Sequence, residues 1–283
     1  MMYALDPRVH EPAWKFIEGL LPSAPDTPRR GRPRIPDRTV FRALLIRLVT
    51  GNSWETIEFS MGHVVSDTTM RQRRTEWINN GTFTQLLAHA YNAYRRLIGF
   101  DLTHVFVDGT NLRARHGGPG TGLDPKHRGK HGWKIVWITD ADGIPVSFTV
   151  DGANRNDYPL MFHVLDDLTE RDQLRLIGTL HADRGFNYNS TPQLLADRYH
   201  LTRFAAPSRN DPHHGRIKRS PLGPRWIVER TNAWFHAYGQ LTNNRDHHPE
   251  HRHTALAFAI SLFLIHRITH PQHSHWRTST NFR

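Results

Sequence analysis

Three acidic residues stand where an α/β protein tends to place its chemistry. Asp108 follows the apolar run Val105-Phe106-Val107, and Asp183 follows a run from Leu176 to His181. Glu229 lies near the start of a helix in which Arg225, Glu229, Asn232 and His236 recur at helical spacing as one polar stripe, with Ile227, Trp234, Tyr238 and Leu241 on the other side. Side chains at or just beyond the C-terminal ends of strands emerge at the working edge of an open sheet, and a carboxylate on a neighbouring helix can reach them. Three such oxygens suit hard divalent cations. Two cations about 3.5–4 Å apart would activate an attacking water or hydroxyl and stabilise the leaving oxygen of a phosphodiester. A plainer assignment stays open for each residue. A strand-end aspartate often serves a turn or a helix start, and Glu229 between Arg225 and Arg230 can be a surface ion pair contributing under about 1 kcal/mol.

Composition narrows the choice. The 283 residues include no cysteine, which excludes disulfides, thiolate nucleophiles and zinc sites built on thiolate. Any metal must therefore use oxygen or imidazole. His213-His214, His247-His248, His251 and His253 form no spacing that fits an imidazole site, because adjacent residues point different ways in regular structure. The formal net charge is +11, distributed as +5 over residues 1–100, −2 over 101–200 and +8 over 201–283. Carboxylates thus gather in a central segment between two basic ones, an arrangement that suits a metal site flanked by surfaces for a polyanion; a merely solvated basic surface is the other reading. The longest apolar run, Ala255 to Ile265, is too short for a membrane span and is expected to be a buried helix. The N-terminus lacks a secretory pattern, so a cytoplasmic protein without membrane contact is expected.

The elements that must position the acids can be read in order. Residues 1–36 are expected to form an N-terminal segment ending in an extended arm, because Arg29, Arg30, Arg32 and Arg34 are interspersed with Pro28, Gly31, Pro33 and Pro36. Such an arm suits phosphates or a minor groove, and a surface linker fits it equally. Residues 37–99 read as a helical domain. One helix carries Val40, Phe41, Leu44, Leu45, Leu48 and Val49, a short one follows from Trp54 to Met61, and a third is capped by Ser66 with Met70, Trp77 and Ile78 inward and Arg71, Arg73 and Arg74 outward. A fourth runs from Thr82 to Leu97. Helix, turn and basic helix resemble a helix-turn-helix reader of DNA. Residues 100–270 then give a strand into Asp108 and a glycine-rich loop through Gly117 and Gly122. Next comes a hairpin of Trp133–Thr139 and Ile144–Val150 about a turn at 140–143, with Pro145 confining its second arm to a sheet edge. A helix (158–168), a strand (176–181), a helix (191–199), a strand (202–206) and the helix of Glu229 complete the domain, leaving 271–283 as a tail. This predicts an α/β fold: a mixed five-stranded sheet flanked by helices, in the order of an RNase H-like domain, preceded by an all-α, helix-turn-helix-like domain.

The segments FVDGT, HADRGF and RWIVERTNAWF resemble the three signature blocks of DDE transposases of the insertion-sequence-five kind, each carrying one acid: Asp108, Asp183 and Glu229. The resemblance extends to Gly132-Trp133-Lys134-Ile135, Asp140, Pro145 and Asn156-Asp157, and to Gly31-Arg32-Pro33 with Ser66, Thr69, Arg73, Arg74 and Trp77. It implies metal-dependent DNA cleavage and strand transfer, with those acids holding two Mg2+ ions for which Mn2+ can substitute. It also implies binding of the element's terminal inverted repeats and of target DNA as double strands, by a homodimer or higher multimer associated with the nucleoid. Arg30, Arg32, Arg34, Arg71, Arg73, Arg74, Arg225 and His236 are the residues expected to meet DNA. The chain departs from related transposases at Leu222 and His236, where Tyr and Lys are frequent, at Asn232 in place of an aromatic residue, and at Gly239-Gln240 in place of a basic pair. An RNase H-like nuclease that does not join, or a transposase-derived protein that only binds DNA, are the alternative readings.

Overall fold

A computed structural model describes residues 2–22, 33–207 and 226–270. Arg30, Arg32 and Arg225 lie outside the described residues, as do Leu222 and His213-His214. The described chain divides into two compact units. The first holds residues up to Ile98, Arg113–Pro119 and those from Phe235 onward; the second holds Gly99–Leu112 and the described part of Gly120–Trp234.

The first unit is helical: α1 (Pro7–Glu18), α2 (Asp37–Thr50), α3 (Trp54–Ser60), α4 (Asp67–Asn79) and α5 (Thr82–Leu97) precede strand β1. The cap expected at Ser66 forms, and Ser53 caps α3 in the same way. Ser53 and Ser66 each accept the backbone N–H three residues on, at 3.3 and 3.2 Å. Helix α1 is absent from the sequence-based expectation. It begins at Asp6, whose side chain accepts the Arg8 N–H at 2.9 Å, and buries Val9, Ala13, Trp14 and Ile17.

The long apolar helix near the C-terminus, expected from sequence to be buried, lies within the first unit. This helix (Pro249–Thr269) packs on α1 and α5, and Phe258 meets Phe41 and Phe83 at ring-centroid distances of 5.8 and 5.5 Å. An apolar stripe says that a helix is buried but not against what. A short helix (Gly239–Thr242) precedes it, and here Gly239 is required sterically. A Cβ at Gly239 would lie 2.3 Å from the Thr50 carbonyl oxygen. Gly239 is therefore a point of close backbone approach, and its neighbour Gln240 is buried and donates to Asp246 at 2.8 Å.

Asp246 organises a buried ionic cluster. It accepts from Arg47 at 3.1 Å and from Arg74 at 2.7 Å, while both guanidiniums lie over the Trp54 ring, 4.1 and 4.7 Å from its centroid. Burial pushes the Asp246 carboxyl up, but the two arginines and the hydrogen bonds from Arg74 and Gln240 outweigh it and hold the group below the ordinary carboxylate range. Burial lowers Arg47 to about 10.

The second unit contains β1 (His104–Ala114, whose last two residues belong to the first unit), β2 (Gly122–Asp124), β3 (Lys130–Thr139) and β4 (Pro145–Gly152). Helix α6 (Asp157–Glu170), β5 (Thr179–His181), α7 (Thr191–Tyr199), β6 (Phe204–Ala205) and α8 (Trp226–His236) follow. The helix Gly239–Thr242 is then α9, and a two-residue strand β7 (Asn243–Asn244) precedes α10 (Pro249–Thr269). Across the sheet the order is β4, β3, β1, β5, β6, with β3–β4 antiparallel and β1–β5 and β5–β6 parallel. Strand β2 also pairs with β3, and β7 pairs with the end of β1. This mixed sheet flanked by helices is the RNase H-like arrangement. Pro145 opens β4, which pairs only with β3 among the described strands, as a proline-bearing edge strand should. Strand β2 replaces part of the expected glycine-rich loop, since its three residues among glycines carry no alternation that would announce a strand.

Alternation along β1 separates two faces. Val105 and Val107 join Leu180, Ala182 and the α6 residues Leu160, Met161, Val164 and Leu165 in one core. Phe106 and Asp108 therefore face the other side, as do His181 and Asp183. The Phe106 and His181 rings stack there at 4.8 Å. No helix among the described residues is long and apolar enough to cross a membrane.

Candidate active site

The register of β1 and β5 decides where two of the three acids go. His104, Val105 and Phe106 pair with Thr179, Leu180 and His181, a constant offset of 75 residues. Carried two residues past the last pair, the same offset would run from Asp108 to Asp183. The strands differ in how they present them. Asp108 is expected from sequence just past a strand end, whereas β1 continues through it to Ala114. Asp183 lies beyond the end of β5, extended in backbone, with its side chain accepting the Arg184 N–H as the cap of a short 3-10 turn. Both residues are half-buried. The flanking His181 imidazole, 2.9 Å from that of His104, is held down to about 4, first by burial and then by His104.

Helix α8 is fixed over this face by its own polar residues. Thr231 donates to the Gly143 carbonyl at 2.6 Å, and Arg230 donates to the Asp142 carbonyl at 2.8 Å, its guanidinium between the Trp226 and Trp234 rings. The hairpin turn that receives α8 is held in turn by Asp140, which accepts the N–H groups of Asp142 and Ile144 at 3.0 and 2.8 Å. Complete burial raises the Asp140 carboxyl well above the usual range.

From α8, the Asn232 amide donates to Asp108 Oδ2 at 2.8 Å. Glu229 lies three residues earlier, one helical turn away on the same side, and is exposed. The structure thus ties Asp108 to α8 through Asn232 and pairs the strand that holds Asp108 with the strand that precedes Asp183. Among the described residues, no group of three or more acidic or imidazole side chains is close enough to hold a metal ion.

The donor types and one orphaned atom nevertheless suit a divalent cation. Asp108, Asp183 and Glu229 offer only oxygen, as Mg2+ or Mn2+ prefers. Beside Asp108, the Asn232 Oδ1 is buried without a hydrogen-bond partner, a costly state for an acceptor unless something electropositive meets it. The residues fit a hard cation, and Asn232, which the sequence places on the polar stripe of Glu229, is a polar contact of Asp108.

A second feature, whose residues the sequence offers only as parts of two separate motifs, lies next to Asp108 in the chain's packing. Lys134, buried on β3, pairs with Asp157 at the start of α6 and donates to the Arg155 carbonyl at 2.5 Å. The Asp157 carboxylate crosses over Gly109, where a Cβ would come within 2.7 Å of it. The glycine next to Asp108 is thus dictated by a close approach, and Lys134 and Asp157 brace the backbone that presents the acid.

The residues expected to meet DNA are placed unequally. Arg71 is exposed on α4. Arg73 and Arg74, expected to point outward with it, are buried: Arg73 pairs with Asp37 and with Glu76 at 3.3 Å, and Arg74 with Asp246. Helical spacing cannot reveal this, because a guanidinium is buried readily once a carboxylate meets it, and Asp246 is 172 residues away. Arg34 is half-buried and donates to Glu76 at 2.8 Å. His236 ends α8 and is half-buried.

Comparison with known proteins adds to this geometry. A family model described as "Transposase DDE domain" matches residues 99–264, and one described as "Putative transposase of IS4/5 family" matches residues 9–87. A Burkholderia cepacia protein described as "Putative transposase for insertion sequence element IS402" is 35% identical over 133 residues. That match spans 45% of this chain and 60% of that protein's length.

Proposed function

From a chain that belongs to the DDE transposase family of the IS4/5 kind, we propose a transposase of the insertion-sequence-five type that cuts at the inverted repeats of its own element and joins the freed 3′-hydroxyls to target DNA. The observation that carries this reading is the parallel pairing of β1 with β5, whose 75-residue offset runs toward Asp108 and Asp183, with α8 tied to Asp108 through Asn232. Asp108, Asp183 and Glu229 would hold two Mg2+ ions, or Mn2+ in their place. When bound, such ions activate an attacking oxygen and stabilise the leaving one. Arg71 and the Arg30–Arg34 arm would contact phosphates, with Arg225 and His236 near the helix that carries Glu229. Lys134 and Asp157 would keep the Asp108 backbone from shifting as charge changes at the site. The protein would act on double-stranded DNA in the cytoplasm, as a dimer or larger multimer at the nucleoid.

Pre-cleaved transposon ends incubated with a supercoiled target and Mg2+ test the proposal. Joined product is the expected result. Nicked target without joining would assign an RNase H-like nuclease instead, and bound but unchanged DNA would leave a protein that only binds.

A further inference from the structure

Between β2 and β3 the chain turns through Pro125–Gly129 and exposes a run of basic residues: Lys126, His127, Arg128, Lys130 and His131. Among the described residues, no carboxylate lies within ion-pair distance of Lys126, Arg128 or Lys130. Three cations side by side on one turn repel one another, and other surface cations here, such as Arg38 and Arg198, have acidic partners.

The turn is nonetheless held in place. Asp124, only 1% exposed, accepts the Lys126 N–H at 2.8 Å, the Asn111 amide at 2.9 Å and the His127 ring at 2.5 Å, and its carbonyl accepts the Gly129 N–H at 3.0 Å. Burial acts to raise the Asp124 carboxyl, yet the hydrogen bonds from His127, Asn111 and Lys126 keep it below its ordinary range. Arg128 adopts a left-handed backbone (φ 55°) that glycine would adopt more readily, so a charged side chain is kept there against local preference. A second anchor is Gly122, where a Cβ would collide with Asn154. Asn111 roots the turn on β1, three residues past Asp108, about 10 Å along an extended strand and on the face opposite to that acid.

We propose that the Lys126–Lys130 turn is a clamp for the phosphate backbone of duplex DNA where it extends past the cutting site. It rests on the reading of Asp108 as catalytic only for its location, since the chemistry recognised is phosphate alone. The DNA is either the element's end or the target, and the two are separable by experiment.

The full-length triple variant K126Q/R128Q/K130Q tests this, because exposed side chains can be neutralised while Asp124 keeps the turn. Binding of a labelled end duplex is followed across KCl concentration, and strand transfer is followed across target concentration. A clamp on the end lowers the slope of log affinity against log salt by about 0.9 for each phosphate no longer neutralised, so by about 2 to 3 in all. A clamp on the target leaves that slope unchanged and raises the KM for target DNA about tenfold or more at unchanged kcat. Either outcome supports the proposal. An unchanged salt slope together with an unchanged KM overturns it. If the wild-type protein binds DNA but does not cut it, the catalytic reading fails while the salt slope alone decides the clamp.

Discussion

Asp108→Asn should eliminate DNA cleavage, by about 1,000-fold or more, while DNA affinity changes by less than about twofold. The substitution keeps the size of the side chain and its place between Asn232 and the β5 edge, but removes the negative charge that a divalent cation needs. Helix α8 is held on the hairpin by Thr231 and Arg230 independently of Asp108, so its position should survive. Single-turnover cleavage of a labelled end, beside a gel-shift titration of the same duplex, measures both quantities. Cleavage retained within about tenfold would remove Asp108 from the reaction.

Asp246→Ala should have the largest effect on stability. It strips the shared carboxylate from Arg47 and Arg74, both nearly inaccessible to water, and leaves two buried guanidiniums with incomplete partners. Breaking a buried ion pair from one side costs roughly 3–5 kcal/mol, enough to unfold a marginal domain. Urea denaturation followed by tryptophan fluorescence should report it, since Trp54 lies beneath both arginines. The pH dependence has a defined sign. The folded-state pKa of Asp246 lies below its unfolded value, so its contribution is present above about pH 4 and is lost as pH falls through the folded value. The wild-type protein should therefore weaken more steeply than the variant on acidification below about pH 4. Parallel curves would show that Asp246 is not the linked group.

Much of the second unit is legible in the sequence because its signals are local. The 140–143 turn, the edge position of Pro145, α6 and α7 each follow from a few consecutive residues, and the limits of α7 match those expected. The strand that holds Asp108 and the strand that precedes Asp183 are legible as apolar runs leading into aspartate. Their register is not, since it depends on which residues pair across the sheet. What escapes the sequence shares one property, the dependence on distant partners. Arg74 has the spacing of a surface cation because Asp246 lies far along the chain. Asn232 stands in the sequence as the replacement of an aromatic residue, when its partner is Asp108. Lys134 belongs to a family motif, but its meaning comes from Asp157 and from the missing side chain of Gly109. Helix α1 is obscured by the proline-rich arm that follows it, although Asp6-Pro7 is an ordinary helix start.

The claim most open to direct measurement is that Asp108 and Asp183 share a divalent cation. Mn2+ titration of the full-length protein on an end duplex, read by electron paramagnetic resonance of the free ion, should give about two sites per active centre in the wild type. At least one should vanish in both Asp108→Asn and Asp183→Asn. Full Mn2+ occupancy in either variant, with DNA still bound, would contradict the shared site and with it the assignment of these strands as the place where DNA is cut.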